Sequence, residues 1–315
     1  MQLHQLRYVV MVADERGFTR AAARLHVAQP SVSGAVHSLE RELGVSLFHR
    51  SRGDVTLTAG GQVFLPWARQ VLADCEAGRA AVRDLMGLGR GRLALGATPS
   101  LTTNLLPGVL ASFHQRHPGI ELIVHEAGSP DLVARLEQGQ LDLALVILPV
   151  QQAWVETEAL STEELVLAVS PAHPLAQRTD LDLAELRDLP LVMFRDGYDL
   201  REATFAACRT AGFEPVLAVE GLEMDGVLAL TEAGLGAAVV PASVAPRAAG
   251  LRTLAFRDRA LTRGVGVAYR RDRALPHAAV AFVDQLREAH QPRPRGGSPA
   301  LFAPDPTPAP GVASV

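Results

Sequence analysis

Residues 17–44 read GFTRAAARLHVAQPSVSGAVHSLERELG, a pattern of two short helices joined by a tight turn. The first helix opens after Gly17 and Phe18 with Thr19 as its expected N-cap. Ala21, Ala22 and Ala23 are strong helix formers, and Leu25 faces inward. His26 and Val27 make the turn. In the second helix Pro30 sits in the first turn, where a missing N–H costs nothing, and Gly44 is suited to close the C-terminus. Val32, Val36, Leu39 and Leu43 fall at i, i+4, i+7 and i+11, so one stripe is expected to be buried against the first helix. The opposite face carries Pro30, Gly34, His37, Ser38 and Arg41, with Gln29, Ser31 and Ser33 around the amino end. Thr19 and Arg20 on the first helix complete the set. Small residues and hydrogen-bonding groups let such a helix enter a major groove closely, and a glutamine at Gln29 suits an adenine edge. Any two-helix hairpin shares part of this pattern, so the next stretch matters.

Residues 45–58, VSLFHRSRGDVTLT, contain a short apolar run, a turn at Arg52, Gly53 and Asp54, and then alternating Val55, Thr56, Leu57 and Thr58. This predicts a two-stranded wing. Arg50 and Arg52 sit on it, where arginines lie along phosphates or enter a narrow minor groove. Taken in order, the two stretches resemble the winged helix-turn-helix of LysR-type transcriptional regulators. The signals are the Ala-rich helix, Gln29-Pro30, Leu39-Glu40, Leu43-Gly44 and Leu47-Phe48-His49-Arg50. Where that family often carries Arg or Gln in the middle of the recognition helix, this chain has Gly34, Ala35 and His37.

The chain has 315 residues, too many for one typical core, with 48% hydrophobic and 20% charged residues, an ordinary soluble composition. Its formal charge of −4 means that affinity for double-stranded DNA must come from a local basic cluster. Two cysteines, Cys75 and Cys208, make no disulfide framework and are suited to a reducing, cytoplasmic setting. The first 17 residues place Leu3, Leu6, Val9, Val10 and Ala13 at helical spacing and lack the basic start of a signal peptide. No apolar stretch is long enough to imply a membrane partner.

Residues 61–88 form one long helical pattern in which Phe64, Trp67, Val71, Cys75, Gly78, Val82 and Leu85 recur every three or four residues. Burying that stripe calls for a partner, so a homodimer or homotetramer is expected; the resemblance likewise implies a linker helix that pairs protomers. Cys75 is read as packing. Gly87, Gly89 and Gly91 mark a boundary.

Beyond it, strands at 92–97, 120–126, 142–147, 164–170, 191–194, 216–220, 237–240 and 264–269 alternate with helical segments, which predicts parallel α/β sheets. LTTNLLPGVLASFHQRHPGIEL, LEQGQLDLAL, LVLAVSPAHPLA and TEAGLGAAVVP resemble the effector-binding part of the same regulators. That resemblance implies a two-lobed fold like that of periplasmic solute-binding proteins. The expected fold class is α/β with an all-α winged helix-turn-helix N-terminal domain. The expected division is 1–60 for DNA binding, 61–89 for the linker helix and 90–290 for the effector domain. Within the last, lobe I takes 90–162 and 268–290 and lobe II takes 163–267, with crossings near residues 162 and 267. Residues 291–315, dense in proline, are expected to be a disordered tail.

In such folds a ligand binds outside the carboxyl ends of the strands. That places Thr98, Pro99, Ser100, Leu101 and Thr102, then Gly128 and Ser129, then Ile147, around a cleft with Phe194, Arg195 and Met224 of the second lobe. Thr98, Ser100 and Thr102 precede a helix whose free N–H groups favour an anionic group, and Arg195 is a candidate charge partner. The expected partner is a small-molecule effector, anionic in this reading.

No enzyme motif survives inspection. His114 and His117 lack a third ligand, and no phosphate loop or nucleophile elbow is present, so neither catalysis nor a cofactor nor a metal is expected. The alternatives are a solute-binding protein and a redox sensor. Residues 192–208, VMFRDGYDLREATFAAC, resemble the segment of the peroxide-sensing, OxyR-like branch that carries two cysteines. Here Cys208 matches the second, and Asp199 stands in the first position. A carboxylate is no substitute for a thiolate nucleophile, so a peroxide sensor of this kind would have to work with one cysteine.

Overall fold

A computed structural model describes residues 1–50, 55–85, 91–247, 250–257 and 261–290. The amino-terminal unit is α1 (Leu3–Glu15), α2 (Phe18–Leu25), α3 (Gln29–Leu43), β1 (Phe48–Arg50), β2 (Val55–Leu57) and the long α4 (Ala59–Leu85). Helix α2 begins at Phe18 with Gly17 at its N-cap and no capping side chain, so Thr19 lies inside the helix and does not cap it. His26 takes a left-handed φ of 55° and closes α2. Gly44, at φ 73°, closes α3 with its N–H on the Glu40 carbonyl.

Val32, Val36 and Leu39 are fully buried with Leu6, Val9, Val12, Ala21 and Ala22. Leu43 is 37% exposed, because the last turn of α3 runs past the end of that core. The buried carboxylate of Glu40 accepts the Leu47 N–H at 2.8 Å and ties α3 to the strand that follows. The wing pairs β1 and β2 antiparallel, Phe48 opposite Leu57 and Arg50 opposite Val55. Its tip, with Arg52, lies outside the described residues.

Helix α4 has two apolar faces, where the residue spacing predicts one. Leu65 and Ala68 are buried against the winged unit, with Phe64 and Leu72 packed beside them. The exposed stripe is Val63, Trp67, Val71 and Val82, with Trp67 67% exposed. Phe64 therefore belongs to the chain's own core, because α1 packs along α4 and claims that face. Gly61 lets α4 approach the segment that enters the wing: a Cβ there would meet the Leu47 carbonyl oxygen at 2.1 Å.

The remainder is β3 (Gly91–Ala97), α5 (Pro99–Asn104), α6 (Leu106–Arg116), β4 (Ile120–Glu126), α7 (Ser129–Glu137), β5 (Leu143–Leu148), β6 (Val155–Val169), β7 (Asp180–Leu181), β8 (Leu191–Phe194), α8 (Asp199–Thr210), β9 (Leu217–Leu222), α9 (Met224–Glu232), β10 (Ala238–Pro241), β11 (Arg252–Phe256), β12 (Thr262–Arg270) and α10 (His277–His290). Strands β3, β4 and β5 are parallel, as are β8 and β9. Strand β12 is antiparallel to both β5 and β6, and β6 is antiparallel to β10 and β11. The sheets are thus mixed, because β6 is shared by both lobes and pairs antiparallel with β12 in the first and with β10 and β11 in the second.

Strand β6 pairs with β12 through Glu164, with β10 from Leu165 and with β11 from Val166. All of β12 belongs to the first lobe's sheet, so the return crossing falls at 261–262, ahead of the position expected near 267. The two halves bury separate cores. One surrounds Phe113, Leu143, Leu145 and Phe282; the other surrounds Leu167, Phe194, Leu200 and Leu254.

Candidate functional site

Two surfaces carry the candidate residues. On α3, Gln29, Pro30, Ser31, Gly34 and His37 are exposed along one edge and Ser33 is half-buried, opposite the buried valine stripe. A Cβ on Gly34 would meet nothing within 4 Å, so this edge is open to a partner's close approach. The exposed His37 Nδ1 lies 3.8 Å from the Glu40 carboxylate. Thr19 is exposed at the start of α2. Arg20 is used differently: its Nε donates to the Glu15 carbonyl at 2.6 Å and its Nη2 to the Arg16 carbonyl at 2.5 Å, so it caps α1.

The second surface is the junction between the lobes. Gly128 and Gly197 bring the lobes into contact, since a Cβ on Gly128 would meet the Gly197 carbonyl at 2.3 Å. Beside them the Asp199 carboxylate, on α8 of the second lobe, accepts the Ser129 N–H at 3.2 Å. The positive end of α7 in the first lobe is therefore filled by the chain's own anion. Ser129 Oγ accepts the Ile147 N–H at 2.9 Å. Burial raises the Asp199 carboxyl above its ordinary value; the Ser129 hydrogen bonds and the positive Arg263 oppose this.

Arg263 is a cleft residue that sequence reasoning missed. Its side chain is 3% exposed. It donates through Nε and Nη2 to Glu163 Oε2 at 2.8 and 2.6 Å, and through Nη2 to Ser100 Oγ at 2.9 Å. Glu163 also accepts the Ser243 hydroxyl, and Ser243 accepts Asn104 Nδ2 at 3.2 Å, which joins the lobes at the hinge. The available signal was a lone arginine in the apolar run of residues 262–269. Thr98 Oγ1 and Tyr198 Oη are buried without a hydrogen-bond partner among the described residues. Burial and the Glu223 charge push the Tyr198 hydroxyl well above its usual range.

Of the expected cleft residues, Gly128 and Ser129 stand where the lobes meet; Ser100 bonds Arg263, Thr98 is buried at the N-cap of α5 and Ile147 donates to Ser129 within the first lobe. Pro99 is buried at the head of α5. Leu101 belongs to the first lobe's core, and Thr102 donates to its own helix at the Thr98 carbonyl, 3.1 Å away. Phe194 is a core residue stacked on Tyr198 with ring centroids 4.5 Å apart. Met224 is buried at the head of α9. Arg195 is not a free charge partner, because it pairs with Glu223 and donates to the Asp196 carbonyl. Cys208 is fully buried, and burial pushes its thiol up to about 11. Cys75 is half-buried on α4.

A helix with an open polar edge, a two-stranded wing, and a two-lobed domain whose lobes meet across a shared strand define a class: a helix-turn-helix regulator with a second, two-lobed domain. Comparisons with known proteins give the family. Residues 3–62 match the bacterial regulatory helix-turn-helix proteins of the lysR family, and residues 87–291 match the LysR substrate binding domain. A probable hydrogen peroxide-inducible genes activator of Mycobacterium avium is 33% identical over 296 residues, covering 91% of this chain and 95% of the relative. A full-length OxyR of Pseudomonas aeruginosa with a cysteine-to-aspartate substitution superposes with a TM-score of 0.73 at 29% identity, covering 91% and 95%. CbnR complexed with its target DNA gives a TM-score of 0.68 at 27% identity, covering 92% and 100%. The chain belongs to the LysR family and is a DNA-binding transcription regulator; the relatives are regulators, not enzymes. Among the described residues no helix is long and apolar enough to cross a membrane.

Proposed function

We propose that this regulator acts in the cytoplasm as a dimer or tetramer, reads DNA with the Gln29–His37 edge of α3, and responds to a small molecule other than peroxide at the inter-lobe cleft. In this reading the Trp67 stripe of α4 supplies the two-fold contact, and each protomer's recognition helix meets one half-site. Arg50 and Arg52 follow the phosphates. Ser100, Ser129 and the unpartnered Thr98 hydroxyl offer hydrogen bonds to the effector. Asp199 already occupies the end of α7, and Glu163 already neutralises Arg263, so an anionic effector would have to displace the chain's own carboxylate.

The observation that carries the reading is Asp199 itself. It stands where the resembling peroxide-sensing segment has its attacking cysteine, and its carboxylate is engaged by Ser129. Cys208 remains, as a buried thiol with a raised pKa; thiols of this kind are weak nucleophiles. The experiment is a peroxide titration of the purified protein, read by intact mass and by affinity for promoter DNA. The expected result is no intramolecular disulfide and an unchanged affinity, alike in wild type and Cys208→Ser. Oxidation of Cys208 at low peroxide, with altered DNA binding that the Ser variant lacks, would establish a one-cysteine redox sensor instead.

A further inference from the structure

A groove of about 830 Å³ lies between the DNA-binding arm and the first lobe, within the range of small-molecule sites. One wall is α1 and α4, with Asp14, Arg69 and Glu76; the other carries Arg92, His125, Asp131 and Arg135. The pairing explains the second wall. Arg92 registers with Glu121 across the parallel β3–β4 pair, so His125, four residues along β4, stands on the same sheet face as Arg92. Helix α7 packs on that face, with Leu132 against Gly96, and Arg135 follows one turn later.

The charges are unevenly matched. Arg69 pairs with Asp14 and donates to Gln138 at 2.8 Å, yet its Nε is buried with no partner. Glu76 is taken by Arg79 at 2.7 Å and Arg7 at 3.7 Å. Among the described residues neither Arg92 nor Arg135 makes an ion-pair contact, although the Arg92 charge acts on the Asp142 carboxyl; Arg135 donates to Gln140, at 3.2 Å. Burial, then the positive charges of Arg135 and Arg92, hold His125 below its ordinary value. Among the described residues Asp131 makes no ion-pair contact, though its charge acts on Arg195.

We propose that this groove is a second ligand site, for a small metabolite carrying a phosphoryl group bound between Arg92, Arg135 and His125. Two guanidiniums outside any ion-pair contact match a doubly charged oxyanion, and the Arg69 Nε–H is a further donor. Asp131, one turn before Arg135, is placed to accept hydroxyls from the rest of the molecule. The groove joins α4 to the first lobe, so its occupant bears on the position of the DNA-binding arm. Gly139 meets Ala73 at this junction, where a Cβ would lie 2.7 Å from the Ala73 Cβ, and Arg270 donates to Gln70 at 2.5 Å. The inference does not depend on what binds the inter-lobe cleft.

The test is calorimetric titration of the full-length protein with inorganic sulfate, inorganic phosphate and ribose 5-phosphate. Saturable binding of one molecule per protomer is expected, weakened about tenfold or more by Arg92→Gln or Arg135→Gln. Thermal melts should not change, because both side chains reach solvent. Sulfate keeps its charge from about pH 6 to pH 8, so tighter sulfate binding at the lower pH reports proton uptake by His125, and His125→Gln should abolish it. Ribose 5-phosphate binding more tightly than phosphate identifies a phosphorylated metabolite; equal affinities identify free phosphate as the occupant. No saturable binding at about 1 mM, or binding indifferent to both arginine variants, overturns the proposal. Loss of binding only on addition of duplex DNA, with the variants unaffected, also overturns it by moving the anion to the DNA-binding face.

Discussion

Replacing Glu163 with Gln should reveal how tightly the hinge is held. Arg263 is almost completely enclosed and directs two of its donors at one carboxylate oxygen, 2.6 and 2.8 Å away, with Ser100 Oγ accepting at 2.9 Å. Removing the negative partner leaves a guanidinium in a dry site with only neutral acceptors. Breaking a buried pair in this way typically costs about 3–5 kcal/mol. For a domain of this size each kcal/mol moves the melting point by about 2–4 °C, so Glu163→Gln should melt about 6–20 °C lower. Ser100→Ala removes one neutral acceptor and should cost about 1–3 kcal/mol. The double variant Glu163→Leu/Arg263→Met removes both charges and should recover most of the loss, giving a large coupling in a double-mutant cycle. Differential scanning calorimetry on wild type, Glu163→Leu, Arg263→Met and the double variant closes the cycle, with Glu163→Gln and Ser100→Ala melted alongside. A Glu163→Gln melt within about 2 °C of wild type, below the shift from one kcal/mol, or additive effects across the cycle, would refute the picture of a desolvated pair at the hinge.

Three further outcomes follow from other parts of the molecule. Trp67→Glu places a charge in the exposed stripe of α4 and should shift the protein toward monomer in sedimentation velocity with the fold intact; an unchanged oligomer would move the pairing face elsewhere. Asp199 has a folded-state pKa raised above its unfolded value of 3.8, so its contribution to stability is fullest below that value and is lost as pH rises through the folded pKa. The neutral Asp199→Asn should therefore melt higher than wild type at about pH 7 and lose that advantage toward about pH 4; a lower melt at both values would contradict the desolvation account. Arg50→Ala should weaken DNA binding and shallow the log–log salt slope by about 0.9 if Arg50 neutralises one phosphate, and an unchanged slope in fluorescence anisotropy would remove Arg50 from the backbone contacts.

Much of the winged unit was legible in the sequence because local signals there agree with tertiary ones. Gly44 ends a helix and takes a positive φ, and Val32, Val36 and Leu39 fill the core that their spacing implies. The exceptions have a local cause: Gly17 takes the N-cap that Thr19 was expected to hold, and Arg20, chemically apt for DNA, is drawn to the open carbonyls at the end of α1. In the two-lobed part, the apolar central strands were readable. The first half of β6, VETEALSTE, was not, since its residues are mostly exposed and polar. The cleft was the least legible. A sequence shows that Arg195 and Arg263 are both arginines; only the fold shows that Arg195 is spent on Glu223 at the surface while Arg263 is enclosed between the lobes. The same holds for Asp199, whose significance comes from facing Ser129 across the cleft.

The central claim is that the exposed edge of α3 reads DNA on behalf of a paired protein. Sequencing the genomic fragments retained by the purified protein tests it most directly, in parallel with Gln29→Ala and Trp67→Glu. The account predicts enrichment of a pseudo-palindromic site whose half-sites lie about one helical turn or a multiple apart, a changed base preference within each half-site for Gln29→Ala, and loss of the two-fold pattern for Trp67→Glu. Retention of fragments without a shared motif, or a motif identical in wild type and Gln29→Ala, would contradict it.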